Sequence, residues 1–241
     1  MSFRLSIGLC VLLGLLLFGW LRWRDASSSE RLVEASVPTI EKEAVIFTNR
    51  TFDPASPPSD MPLLTAGENA ACDSDFQSTA SVGGRTQQTD PTHATVTIMQ
   101  IKLKLLLKIA IWVPTDVTQH VVEHEQGHRQ ISEYYYQTAD KLAMRIAASY
   151  MGKQFDITGT NLDAESSKWL QQMATEITDE YNKELNPEPT QLLYDTITDH
   201  SRNEVIAKDA VNHALKNVTV ESGQQSSLEN ADYGNVVLNF R

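Results

Sequence analysis

The chain is short of cysteine and of positive charge, and each shortage excludes a class of protein. Only two cysteines occur in 241 residues. Cys10 lies in an apolar N-terminal run, so Cys72 has no partner in the remainder and a disulfide framework is excluded. The same count rules out a cysteine-rich zinc ribbon. Lys and Arg number 20 against 31 Asp and Glu, for a formal net charge of -11. Setting residues 1–25 aside leaves 17 basic and 30 acidic residues, a balance of -13. Nonspecific nucleic-acid binding needs a cationic face to displace counterions from phosphates, and no such excess exists here. A hydrophobic fraction of 41% is too high for a wholly disordered chain. The length suits one globular domain with appendages rather than two domains.

Leu5 to Leu21 is an uncharged, mostly apolar run between Arg4 and Arg22, at the short end of what spans a bilayer. Trp20 and Trp23 stand where interfacial aromatics belong. Signal-peptide cleavage needs small residues soon after the run, yet Arg24 occupies the -3 position before Ala26, and Val33-Glu34-Ala35 lies far downstream. Residues 1–25 are therefore expected to act as an uncleaved anchor, with a cleaved signal as the alternative. Residues 26–62 read as a tether and lead-in segment, with four of the nine prolines in Pro54–Pro62 and one short strand at Ala44–Phe52. Residues 66–94 show little periodicity and read as loops with at most short strands.

From Thr95 the pattern sharpens. Met99, Ile101, Leu103, Leu105, Leu107, Ile109, Ile111 and Val113 recur at period two, opposite Gln100, Lys102, Lys104 and Lys108. The pattern predicts a long half-buried strand, or two with a bend, ended by Pro114. Val117, Val121, His124, His128, Ile131, Tyr135, Leu142 and Ile146 then follow helical spacing, which predicts one helix over about 116–150. Two further helices are expected, at about Asp163–Leu185 and Gln191–Asn217, before a polar tail at 218–241 with a short strand at Val236–Phe240. The fold class is α+β.

The chemistry sits on the first helix. His124-Glu125-Gln126-Gly127-His128 is an H-E-x-x-H motif. Spacing by four puts both imidazoles on one face, one turn apart, where both reach a single ion. Glu125 is rotated by about 100° from His124, which suits a base beside a metal-activated water rather than a ligand. A glycine in the middle of a helix costs about 1 kcal/mol relative to alanine, so Gly127 points to close packing at that position. His120 and His128 are separated by about 12 Å along the axis, too far to share an ion. An open zinc site needs a third protein ligand. The metzincin continuation Gly-x-x-His after His128 is absent, and the remaining histidines are His93, His200 and His213.

The pairing of His124-Glu-Gln-Gly-His128 with the downstream segment Tyr194-Asp195-Thr196-Ile197-Thr198-Asp199-His200 resembles the bacterial predicted zinc-dependent proteases grouped as domain of unknown function 922. The resemblance covers roughly residues 70–215. It implies a zincin-like fold over 63–217, in which a β-rich N-terminal half packs on the active-site helix. It also implies a zinc ion (Zn2+) and a protein or peptide substrate. By the match His124, His128 and His200 look like ligands and Glu125 like the catalytic base. Ser201 stands where the family has Gly, so Asp195 and Glu204 remain alternative third ligands. In the mechanism this implies, Glu125 accepts a proton from the activated water and zinc stabilises the oxyanion, with Tyr194 either assisting it or serving core packing; Asp195 or Asp199 takes a histidine N–H. The rival expectations are a non-catalytic, membrane-tethered zinc-binding module and an enzyme that hydrolyses a non-protein amide. With the anchor, the domain is expected outside the cytoplasm, in the periplasm or cell envelope.

An uncleaved anchor makes the full-length protein pellet with membranes and resist alkaline carbonate extraction. Recovery of a mature species beginning just after Ala26 or Ala35 would instead establish a cleaved signal.

Overall fold

The computed structural model describes residues 37–64 and 67–221. The expected anchor at 5–21 and the tail strand at Val236–Phe240 lie outside the described residues. Among the described residues no helix is long and apolar enough to cross a membrane.

The period-two series becomes one 22-residue strand, His93–Pro114, to which every other strand of the sheet pairs. Along the chain these are β1 (Thr39–Lys42), β2 (Ile46–Phe52), β3 (Ala71–Asp90), the central β4 (His93–Pro114) and β5 (Gln154–Thr158). β3 runs antiparallel along nearly the whole of β4. The other edge of β4 is shared by β5 (antiparallel, at 93–97), β1 (parallel, at 102–105) and β2 (parallel, at 108–114). The lead-in segment thus contributes two strands to the sheet. One of them, β1, had no signal of its own.

Buried positions on β4 change parity along its length. Val96 and Ile98 are buried, then Ile101, Leu103, Leu105, Leu107, Ile109 and Ile111. Between them the register steps, with Gly83 opposite Gln100 and Gly84 opposite Ile98, so Met99 is the extra residue of a β-bulge. The bulge turns the first part of the strand toward Ile157, Trp169 and Leu170, and the second toward the main core.

Three expectations are corrected. Residues 66–94 are not mainly loops: 71–90 is a single 20-residue strand. The helix over 116–150 is two helices, α1 (Gln119–Gln137) and α2 (Ala139–Tyr150), broken at Thr138 with φ -103° and ψ 6°. The break lets two different faces be buried. α1 sinks His124, Gly127 and Ile131, whereas α2 sinks Ala139, Ala143, Ile146 and Ala147 into the main core with Ile177 and Tyr181. α3 (Leu162–Glu184) follows the expected range and is capped by Asn161, whose side chain accepts from Ala164 N–H. The helix expected over 191–217 is also two, α4 (Glu188–Thr198) and α5 (Ala207–Glu221). Asp199, His200 and Ser201 separate them, with φ of 47°, 51° and 64°. Such left-handed backbone costs non-glycine residues roughly 1–2 kcal/mol each, and it cannot continue a right-handed helix.

Candidate metal centre

α1 and α4 pack most closely where Tyr194 meets Gly127. The Tyr194 ring is fully buried and lies against Gly127, where an added Cβ would stand 2.1 Å from the tyrosine hydroxyl and 2.4 Å from Cζ. The hydroxyl donates to the His124 carbonyl oxygen at 3.0 Å. The ring stacks on the His124 imidazole at 5.0 Å between centroids and meets His128 edge-on at 4.9 Å. The close neighbour expected of Gly127 is therefore Tyr194. Tyr135 adds a second tie, its hydroxyl 2.6 Å from Thr190 Oγ1. Below the contact Ile131, Ala210, Val211 and Ala214 form a small core with Tyr194.

This packing carries the next residue, Asp195, to the histidines. His124 Nε2 and His128 Nε2 lie 3.2 Å apart, and Asp195 Oδ1 is 3.3 Å from the first and 2.9 Å from the second. Ligand atoms at about 2.0 Å from a tetrahedral zinc stand about 3.3 Å from one another. His124, His128 and Asp195 thus form a group that could hold a metal ion. The donor chemistry agrees. Gln191 Oε1 accepts from His128 Nδ1–H at 2.6 Å, which leaves Nε2 as the lone-pair nitrogen of the neutral ring. His124 is buried and His128 and Asp195 are half-buried, so a proton or a cation among their three facing atoms lowers the cost of holding them together.

Electrostatics at the group follow from burial and proximity. Burial pushes the His124 pKa down, favouring the neutral, ligating ring. Burial opposes charge on His128 as well, yet the adjacent Asp195 carboxylate raises its pKa overall. Burial alone would raise the Asp195 carboxyl, but the two facing imidazoles hold it well below the usual carboxylate range. Glu125 is 5% exposed and is pushed up to about 7 by burial. Cys72 is pushed up to about 12, again chiefly by burial, and so remains a neutral thiol.

The group opens into a cleft of about 390 Å³. One wall is the start of β3, from Ala70 to Ser74 and Phe76; the others are α1, through His124, Glu125, His128 and Ser132, and the first turns of α4. His200 stands outside the metal-binding group. Its Nδ1 is 3.7 Å from Asp195 Oδ1 and 4.0 Å from Glu68, and it follows α4 on left-handed backbone rather than beginning a helix. Tyr194 does not line the cleft, and its hydroxyl is committed to the His124 carbonyl. The residue that sequence reasoning missed is Gln191. Its spacing of four before Asp195 on one helix face was the available signal.

The chain matches no protein-family model, no curated protein and no solved structure.

Three outcomes follow from this geometry. Gly127→Ala forces Tyr194 out of place and lowers stability by about 1–3 kcal/mol in urea denaturation, the cost of overpacking a core, with loss of metal affinity. Asp195→Ala weakens zinc binding by about 100-fold or more in competition with a chromophoric chelator, since one of three protein ligands is gone. His200→Ala stays within about tenfold of wild type in the same assay, on the scale of losing an outer contact. The reverse ranking would make His200 the third ligand.

Proposed function

We propose that this chain is a zinc-dependent peptidase in which His124, His128 and Asp195 hold the metal and Glu125 is the general base. The observation that carries the reading is the convergence of three metal-competent atoms beside a buried carboxyl on the neighbouring residue. A zinc ion held by these three residues would supply Lewis acidity toward a water and a carbonyl. Glu125, raised toward neutrality by burial, takes the water's proton on a carboxylate oxygen and passes it to the leaving amine nitrogen.

A polypeptide substrate is favoured by the cleft wall. Ala80 N–H turns away from β4 to donate to Thr178 Oγ1 at 3.2 Å, and the β3–β4 register is unbroken from Ala71 to Gly83. By strand alternation Cys72, Ser74 and Phe76 therefore also turn their backbone polar groups away from β4, on the edge that borders the cleft. No strand pairs with that edge among the described residues. An extended peptide can add to such an edge by main-chain hydrogen bonds.

The resemblance to the domain of unknown function 922 proteases and a zincin-like fold belong to the same proposal. Ser201, where that family has Gly, sits at φ 64°, in the region glycine occupies most freely. The apolar run at 5–21 supports a domain held at a membrane and facing out of the cytoplasm.

Glu125→Gln preserves size and leaves the ligands in place. Zinc content is expected to stay near one per chain, while cleavage of a proteome-derived peptide mixture, read as new termini by mass spectrometry, falls by about 10²-fold or more. Full activity in this variant would remove Glu125 from the mechanism. A wild-type protein that binds zinc but cleaves nothing in the mixture would be a non-catalytic zinc-binding module.

A further inference from the structure

We propose that Gln191 is a positioning residue that sets the tautomer of His128 and ties this ligand to the cleft edge of β3. The inference rests on the metal reading above and adds a residue to it.

Gln191 lies one turn before Asp195 on α4, so one helix face offers both a ligand and an orienting amide. All the polar atoms of the Gln191 side chain are used. Oε1 accepts from His128 Nδ1–H at 2.6 Å, and Nε2 donates to the His128 carbonyl oxygen at 3.1 Å and to Ser132 Oγ at 3.0 Å. The donation to the His128 carbonyl fixes which end of the amide is the nitrogen, because a carbonyl oxygen can only accept. The oxygen end then faces Nδ1, which must carry a proton to meet it. The His128 lone pair is thereby directed from Nε2 toward His124 Nε2 and Asp195 Oδ1. A tautomer with the proton on Nε2 would set two lone pairs against each other at 2.6 Å and aim an N–H at the metal position.

The chain of contacts continues outward. Ser132 Oγ donates to Ser74 Oγ at 2.8 Å, and Ser74 lies on the β3 edge that borders the cleft. A peptide seated on that edge would pair with the backbone of a residue whose side chain is two hydrogen bonds from Gln191. Ordering of the β3 edge and orientation of His128 are thus linked through Ser74, Ser132 and Gln191. None of these three titrates near neutrality, so the linkage acts through geometry.

Gln191→Leu removes the acceptor, and Gln191→Glu keeps it while removing both donations. Ring N–H resonances of isotope-labelled His128 report the tautomer by NMR with or without zinc, and chelator competition reports affinity. The expected results are a slowly exchanging His128 Nδ1–H in wild type and in Gln191→Glu, and its loss in Gln191→Leu. Zinc Kd should rise about 10- to 100-fold in Gln191→Leu, the usual effect of removing a group that orients a ligand, and stay within about threefold of wild type in Gln191→Glu. Unchanged far-UV circular dichroism in both variants separates positioning from folding. Equal losses of affinity in the two variants would assign Gln191 to tying helices together and overturn the tautomer role. Wild-type zinc affinity and an intact Nδ1–H in Gln191→Leu would overturn it as well. If Gln191→Leu fails to fold, a wild-type His128 lacking the protected Nδ1–H still overturns the proposal. A wild-type protein that takes up no zinc, yet shows the protected Nδ1–H, contradicts the metal reading and leaves the tautomer assignment standing.

Discussion

The site depends on the contact between Tyr194 and Gly127. A tyrosine hydroxyl can lie on a helix backbone only where a residue has no Cβ, and at 2.1 Å from the position such an atom would take, no other residue fits. That contact brings α4 against α1, and neighbouring residues on α4 follow. Asp195 reaches the two imidazoles and Gln191 reaches the far nitrogen of one of them. Tyr194 also walls the imidazoles off from the small core of Ile131, Ala210, Val211 and Ala214, so the polar atoms face the cleft and the apolar ones face inward. Of the two readings of Tyr194, oxyanion stabilisation and core packing, the packing one matches its burial and its hydrogen bond to the His124 carbonyl.

The electrostatic arrangement is costly without a cation and coherent with one. Two imidazole nitrogens and a carboxylate oxygen are buried within about a zinc-ligand edge of each other. His124 Nδ1 is buried without a hydrogen-bond partner among the described residues. Buried polar groups left in this way are uncommon in the body of a protein and concentrate where a ligand completes them. The separation of roles between adjacent residues is a consequence of helix geometry. His124 aims at the ion with His128, while Glu125, turned by about 100°, remains beside it.

Much of this was legible in the sequence, and the exceptions share a physical cause. β4 and α1 were readable because large apolar residues recur at strand and helix periods. β3 was not, since the residues it turns inward include Cys72, Ser74, Ser78 and Ala80, which are too small or polar to register as an apolar alternation. The breaks at Thr138 and at Asp199–Ser201 carry no glycine or proline, so nothing local marked them; tertiary packing on two different faces decides the first. At the site, the H-E-x-x-H spacing pointed to the two histidines that come together with Asp195, and Gly127 announced a close neighbour. The third position was harder. His200 was the obvious imidazole, but residues before and after the end of a helix cannot be placed by periodicity, and the left-handed turn leaves His200 at the rim while Asp195, inside α4, takes the place beside the histidines.

The central claim is that a single metal ion is held by two imidazoles and one carboxylate. Anomalous diffraction at the zinc edge from crystals of the zinc-loaded protein tests it most directly. The account predicts one peak bounded by His124 Nε2, His128 Nε2 and Asp195 Oδ1, at about 2.0–2.2 Å from each. A peak at another set of residues, or none at this one in protein shown to be zinc-loaded, would contradict it.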